Sequence, residues 1–90
     1  MFYVYILRCG NGAYYTGHTD DLEKRLFEHA NGTIRGFTAE HLPIKLLYWE
    51  TFSTREEALA TERQIKGWRR AKKEALIRGD WDEVRKLANN

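Results

Sequence analysis

Apolar residues fill both faces of Phe2 to Arg8 (FYVYILR), the pattern of a strand covered on two sides and therefore central in its sheet. Cys9-Gly10-Asn11-Gly12 follows with turn chemistry, because Asn and Gly tolerate positive φ. Ala13 to Gly17 then returns as the second strand of a hairpin. Asp20 or Thr19 is placed to cap the next helix, which carries Asp21 and Glu23 in its first turn, runs to about Ala30 and stops at Asn31-Gly32. Thr33 to Pro43 reads as a loop of mixed polarity, with Pro43 barring helix there. Lys45 to Phe52 is a third strand. Thr54-Arg55-Glu56-Glu57 has the form of a capping box and opens a helix to about Arg70, followed by a short helix from Lys72 to Arg78 and a last one from Asp80 to Leu87, with Asp80 as cap. The predicted order is ββ-α-β-α-α-α: an α/β (α+β) fold in which a small three-stranded antiparallel sheet is flanked by helices, as one domain over residues 1–90.

Composition narrows this picture only a little. Ninety residues suffice for one modest core, and the longest apolar runs are far too short to span a membrane. Met1 leads straight into strand-forming residues, so no signal peptide is expected. The single cysteine, Cys9, allows neither an internal disulfide nor a cysteine metal site, which suits a reducing cytoplasm. The net charge of +2 says little about partners, but its distribution says more. Arg63, Lys66, Arg69, Arg70, Lys72 and Lys73 fall within one acid-free stretch. Such a run is either a solvated helix face or the footprint of a phosphate-bearing partner.

Two helices carry polar residues where their spacing calls for apolar ones. In the first, Leu22, Leu26 and Ala30 form the buried stripe, and Arg25 and His29, four apart, sit together at its border. In the later helix Glu62 lies between Ala58 and Ile65, where a carboxylate must be paired, protonated or bound to a cation. An ion pair with an arginine would satisfy it, and so would a hard divalent cation. Strand tyrosines, an Arg/His pair and a lone acid can thus be aimed at one place from three elements.

Over nearly its whole length the chain resembles the GIY-YIG nuclease family, most closely the small stand-alone bacterial members. Tyr3-Val4-Tyr5 matches the first motif and Tyr15-Thr16-Gly17 the second, at the family's spacing of about ten residues. "TGHTDDLEKRLFEH" matches the family helix with Arg25 and His29 in place, and "EALATERQIKGWRRAKKEALI" matches the later helix with Glu62 at the metal-binding glutamate. Tyr3, Val4 and Thr16 depart from the motif letters at tolerant strand positions. The resemblance implies hydrolysis of DNA phosphodiester bonds with one divalent metal, Mg²⁺ or Mn²⁺. It implies that Tyr5 activates or orients the attacking water and Tyr15 positions it or the phosphate. Arg25 would bind the non-bridging oxygens and His29 share proton transfer with Tyr5, while Glu62 holds the metal beside the leaving oxygen. On that reading Arg25 and the metal lower the Tyr5 pKa from the ordinary value of about 10, and the basic run tracks the DNA backbone.

Tyr3 and Tyr14 are expected on the opposite face from the active phenols, packing in the core. Trp49, Trp68 and Trp81 are expected as core or boundary anchors, and Lys24 and Arg35 as solvated residues near the mouth. Three further readings compete with a DNA nuclease: a nucleic-acid-binding module without turnover, a catalytic subunit that needs a partner protein to choose its substrate, and a purely structural one. The last predicts that Tyr5, Tyr15, Arg25 and Glu62 do not converge.

Overall fold

The computed structural model describes residues 1–87. Its elements are β1 (Phe2–Arg8), β2 (Tyr14–Thr19), α1 (Leu22–Ala30), α2 (Phe37–Glu40), β3 (Lys45–Phe52), α3 (Arg55–Lys66), α4 (Arg70–Arg78) and α5 (Trp81–Lys86). The sheet is antiparallel in the order β2-β1-β3, so the strand that is apolar on both faces is the central one. Only the short α2 adds to the predicted order. It is entered through Gly36 at φ 111°, a conformation that resists a side chain.

The two faces of the sheet do different work. Val4 and Ile6 point to one face and form the core with Ala58 and Ile65 of α3, Ala75 and Leu76 of α4, and Val84 of α5. Tyr3, Tyr5 and Leu7 point to the other, together with their β2 partners Thr19, Gly17 and Tyr15. Tyr14 packs against the core as expected, but Tyr3 shares the Tyr5 face, because residues two apart on a strand point the same way. Its ring lies 6.2 Å from that of Trp49, which pairs with Tyr5 across β1 and β3. Of the three tryptophans only Trp68 packs against the core; Trp49 and Trp81 are exposed.

Local chemistry sets the helix ends. Thr54 and Glu57 form both bonds of the capping box, and Asp80 caps α5 by accepting from the Glu83 amide. Asp21, rather than Asp20 or Thr19, caps α1, accepting from the Lys24 amide at 3.1 Å. The long basic helix also ends earlier than expected. Gly67-Trp68-Arg69 breaks it, and α4 starts at Arg70. On α1 Ala30 is exposed and His29 is the buried residue, so the inward stripe runs through the imidazole.

Candidate active site

Tyr5 sits on the central strand directly opposite Gly17 of the edge strand β2. Its phenol passes over that glycine so closely that a Cβ there would stand 2.6 Å from the hydroxyl oxygen and 2.7 Å from Cζ. The glycine is therefore a passage that lets a side chain from the middle of the sheet reach across its edge strand. The hydroxyl ends 2.9 Å from Nε2 of His29, and Nδ1 of the same ring lies 2.9 Å from Thr38 Oγ1 on α2. With both nitrogens partnered, a fully buried imidazole is tolerated. The phenol is the stronger acid of the two hydroxyls, so it donates to Nε2 while Nδ1–H donates to Thr38.

Burial, helped by the nearby Arg25 guanidinium, lowers the His29 pKa and favours a neutral ring. The Tyr5 phenol moves the other way. Burial, then the neighbouring Tyr15, push its pKa well above the ordinary range, and the opposing effect of Arg25 is smaller. The expectation that Arg25 would ready Tyr5 as a phenolate is thus reversed for the protein alone, because desolvation outweighs one guanidinium. Tyr15 completes the aromatic cluster, its ring centroid 5.2 Å from His29 and 6.4 Å from Tyr5.

Glu62 comes from α3, on the other side of the sheet. The residue is 7 % exposed, and both carboxylate oxygens are engaged: Oε1 lies 2.5 Å from His18 Nδ1 and Oε2 lies 2.6 Å from Lys66 Nζ. Burial alone would raise its pKa, but the hydrogen bonds from Lys66 and His18 prevail and hold it below the usual carboxylate value. His18 follows Gly17 in β2, and alternation turns it to the α3 side while Gly17 admits Tyr5 on the other. The edge of β2 is thus where groups from both faces meet. A cleft of about 330 Å³ opens there, lined by Tyr5, Tyr15, Gly17, His18, Arg25 and Glu62, with Lys66 and the ion pair Arg55–Asp20 at its wall.

Four of the five residues singled out in the sequence therefore line one cleft, and the fifth, His29, joins through Tyr5. The purely structural reading required that they not converge. Sequence reasoning missed three participants. His18 was visible as the residue after the second motif, on the alternate face. Gly17 was seen only as a motif letter. Thr38 had no local signal at all, since only the packing of α2 beneath α1 brings it to His29.

The basic run is dispersed rather than continuous. Lys66 lines the cleft on Glu62, and Arg63 and Arg69 are exposed. Arg70 stacks 4.0 Å over the Tyr14 ring, and Lys73 is half-buried, with burial and Arg70 lowering its pKa. Lys72 departs most from the expectation of a DNA contact. It is 5 % exposed with its ammonium 4.2 Å from the Trp68 ring centroid, because the break at Gly67 turns it inward. Lys24 lines a small side pocket with Arg25 and Glu28, and Arg35 is exposed.

A divalent ion is the cofactor the resemblance implies. Among the described residues no group of three His, Cys, Asp or Glu side chains could enclose a metal. Glu62 fits the more open arrangement suited to Mg²⁺ or Mn²⁺: one carboxylate, with water and phosphate oxygens for the rest. It is deprotonated and lines the cleft.

Comparisons with known proteins bear on the family and the fold. The family profile described as "GIY-YIG catalytic domain" matches residues 1–75. A UPF0213 protein of Staphylococcus saprophyticus is 44 % identical over 75 residues, covering 83 % of this chain and 92 % of that one. A UPF0213 protein of Halobacterium salinarum is 41 % identical over 77 residues, covering 86 % and 100 %. The solution NMR structure of a UPF0213 protein from Bacillus halodurans superposes with a TM-score of 0.56 at 40 % identity, covering 86 % of this chain and 83 % of that one. An E. faecalis protein, also solved by NMR, gives 0.59 at 35 % identity, covering 86 % and 82 %. With the motif tyrosines, Gly17, Arg25 and Glu62 around one cleft and the matched profile spanning most of the chain, the protein belongs to the GIY-YIG catalytic domain family.

Proposed function

We propose that the protein is a metal-dependent nuclease that hydrolyses phosphodiester bonds in DNA, acting in the cytoplasm as a single domain over residues 1–90. One observation carries this reading: Tyr5, whose hydroxyl is bonded to a buried imidazole, lines the same cleft as Arg25 and Glu62.

The Tyr5–His29 pair suits a relay. Ionising the phenol alone is unfavourable in this burial, but a proton taken from water by the Tyr5 oxygen can be matched by the phenol's own proton passing to His29 Nε2. No isolated phenolate is then formed, and the imidazolium that results has Thr38 as acceptor for its Nδ1–H. This assigns His29 as final proton acceptor and Tyr5 as the group that meets the water. Tyr15, beside both rings, orients the water or the phosphate. Arg25, with its side chain 39 % exposed and only a 3.7 Å contact to Glu28, offers its planar fork to the non-bridging oxygens. Glu62 would hold Mg²⁺ or Mn²⁺, Lys66 ceding Oε2. When bound, the ion supplies positive charge for the leaving oxygen.

The test is incubation of the purified protein with single-stranded, duplex, flap and branched DNA, and with RNA, in Mg²⁺, Mn²⁺ or chelator, beside Glu62→Ala. Metal-dependent cutting that vanishes in the variant is the expected result. Binding without cutting, unchanged by Glu62→Ala, would overturn it. One observation favours that second reading, a binding module or a subunit that needs a partner protein: both Glu62 oxygens already have protein partners.

A further inference from the structure

At the hairpin end of the sheet, away from the cleft, Arg8 of β1 stands directly opposite Lys45 of β3. Like charges paired across two strands repel and lower stability. Neither side chain has an ion pair or hydrogen bond with any described residue that would offset this. On its other side Arg8 is opposite Tyr14, and the Arg70 guanidinium lies on the Tyr14 ring, fixed by the Gly12 carbonyl at 3.0 Å and by Glu74 at 3.2 Å. Arg8, Lys45 and Arg70 thus reach one pocket of about 430 Å³ from three different elements, and no carboxylate lines it. A local conflict of this kind, kept in a well-formed pocket, is what a site for an anion looks like before its ligand arrives.

We infer that this pocket is a second phosphate site, an anchor for the nucleic-acid backbone beside the catalytic cleft. The inference rests on the nucleic-acid reading proposed above. β2 runs from His18 in the cleft to Tyr14 at the pocket, a span of about 13 Å at ~3.3 Å per residue. A strand whose phosphate lies in the cleft beside His18 therefore needs only a few further nucleotides to bring another phosphate to Arg8 and Lys45. Lys66 and Arg70 mark the way, lining the cleft and the pocket respectively. Arg70 is largely neutralised by Glu74, so the charge offered to the ligand is that of Arg8 and Lys45.

The test compares the full chain carrying Glu62→Ala, which keeps the oligonucleotide intact, with the same chain carrying Arg8→Gln and Lys45→Gln as well. Binding of a fluorescent single-stranded oligonucleotide is measured from 50 to 200 mM salt, and thermal melting with and without inorganic phosphate. Loss of one phosphate site should lower the log–log salt slope by about 0.7, so the advantage of the parent shrinks about 2.6-fold across that range. Without ligand the double variant should melt no lower than its parent, since a repulsive pair is gone, and Arg8→Lys with Lys45→Arg should keep the parental slope. An unchanged slope in a parent that binds overturns the anchor alone. A melting shift by phosphate that the variant loses, with an unchanged slope, assigns the pocket to free phosphate and also overturns it. A parent that binds no nucleic acid fails the proposed function, and the anchor falls with it.

Discussion

Gly17→Ala tests the passage through which Tyr5 reaches the cleft. An added Cβ would meet the phenol oxygen at 2.6 Å, Cζ at 2.7 Å and Tyr15 Cε1 at 3.2 Å. Ordinary carbon contacts begin near ~3.5 Å, so the phenol must retreat by nearly one ångström. Tyr5 is 1 % exposed and tied to His29, so that retreat strains packed neighbours and lengthens the hydrogen bond. Overpacking costs about 1–3 kcal/mol and a weakened hydrogen bond about 0.5–1.5 kcal/mol. Against this, Gly→Ala at a compatible position stabilises by roughly 0.4–1 kcal/mol through the unfolded chain. The net is a loss of about 0.5–4 kcal/mol, read as a Tm drop of at least ~2 °C for a domain of this size. Displacing a catalytic group by about 1 Å can lower the rate on the order of 100-fold, so cleavage should fall further than stability explains. Adding Tyr5→Phe should restore only part of the Tm, because Cζ remains where the Cβ must go. A Gly17→Ala protein as stable as the parent, or more so, would refute the close-approach argument whatever its activity.

Thr16 Oγ1 is buried without a hydrogen-bond partner among the described residues, so Thr16→Val should raise stability by about 1 kcal/mol and Tm by ~4–8 °C; a lower Tm in calorimetry would show that the hydroxyl is satisfied. The lowered pKa of His29 means that the unfolded chain takes up a proton there as pH falls below about 6.5, and Glu62 adds the same sign below about 4.3. Tm should therefore decline from pH 7.5 to pH 4, while the raised Tyr5 pKa makes it decline again above about pH 10; a Tm that rises on acidification contradicts the buried neutral imidazole. Lys72→Met keeps the packing and removes the contact with Trp68, so it should cost roughly 0.5–2 kcal/mol in chemical denaturation and leave the salt dependence of DNA binding unchanged; a reduced salt slope would return Lys72 to the DNA interface.

Much was readable along the chain because it depends on near neighbours. The central strand showed in a doubly apolar run, the Thr54–Glu57 box in residues three apart, and the hairpin in Gly10-Asn11-Gly12, all of which act within one turn or one strand. The motif residues Tyr5, Tyr15, Arg25, His29 and Glu62 were likewise named from spacing and resemblance alone. Their company was decided elsewhere. That His29 is fully buried depends on Thr38 arriving from α2, and that Glu62 meets His18 depends on how α3 crosses β2. The reversal of the Tyr5 pKa depends on how much surface the whole fold withdraws from water. The pairing of Arg8 with Lys45 comes from a register that includes an irregularity between Ile6 and Leu7. Sequence fixes which groups exist and how each element faces; strand register, helix crossing and burial are properties of residues far apart in the chain, and only the packed structure decides them.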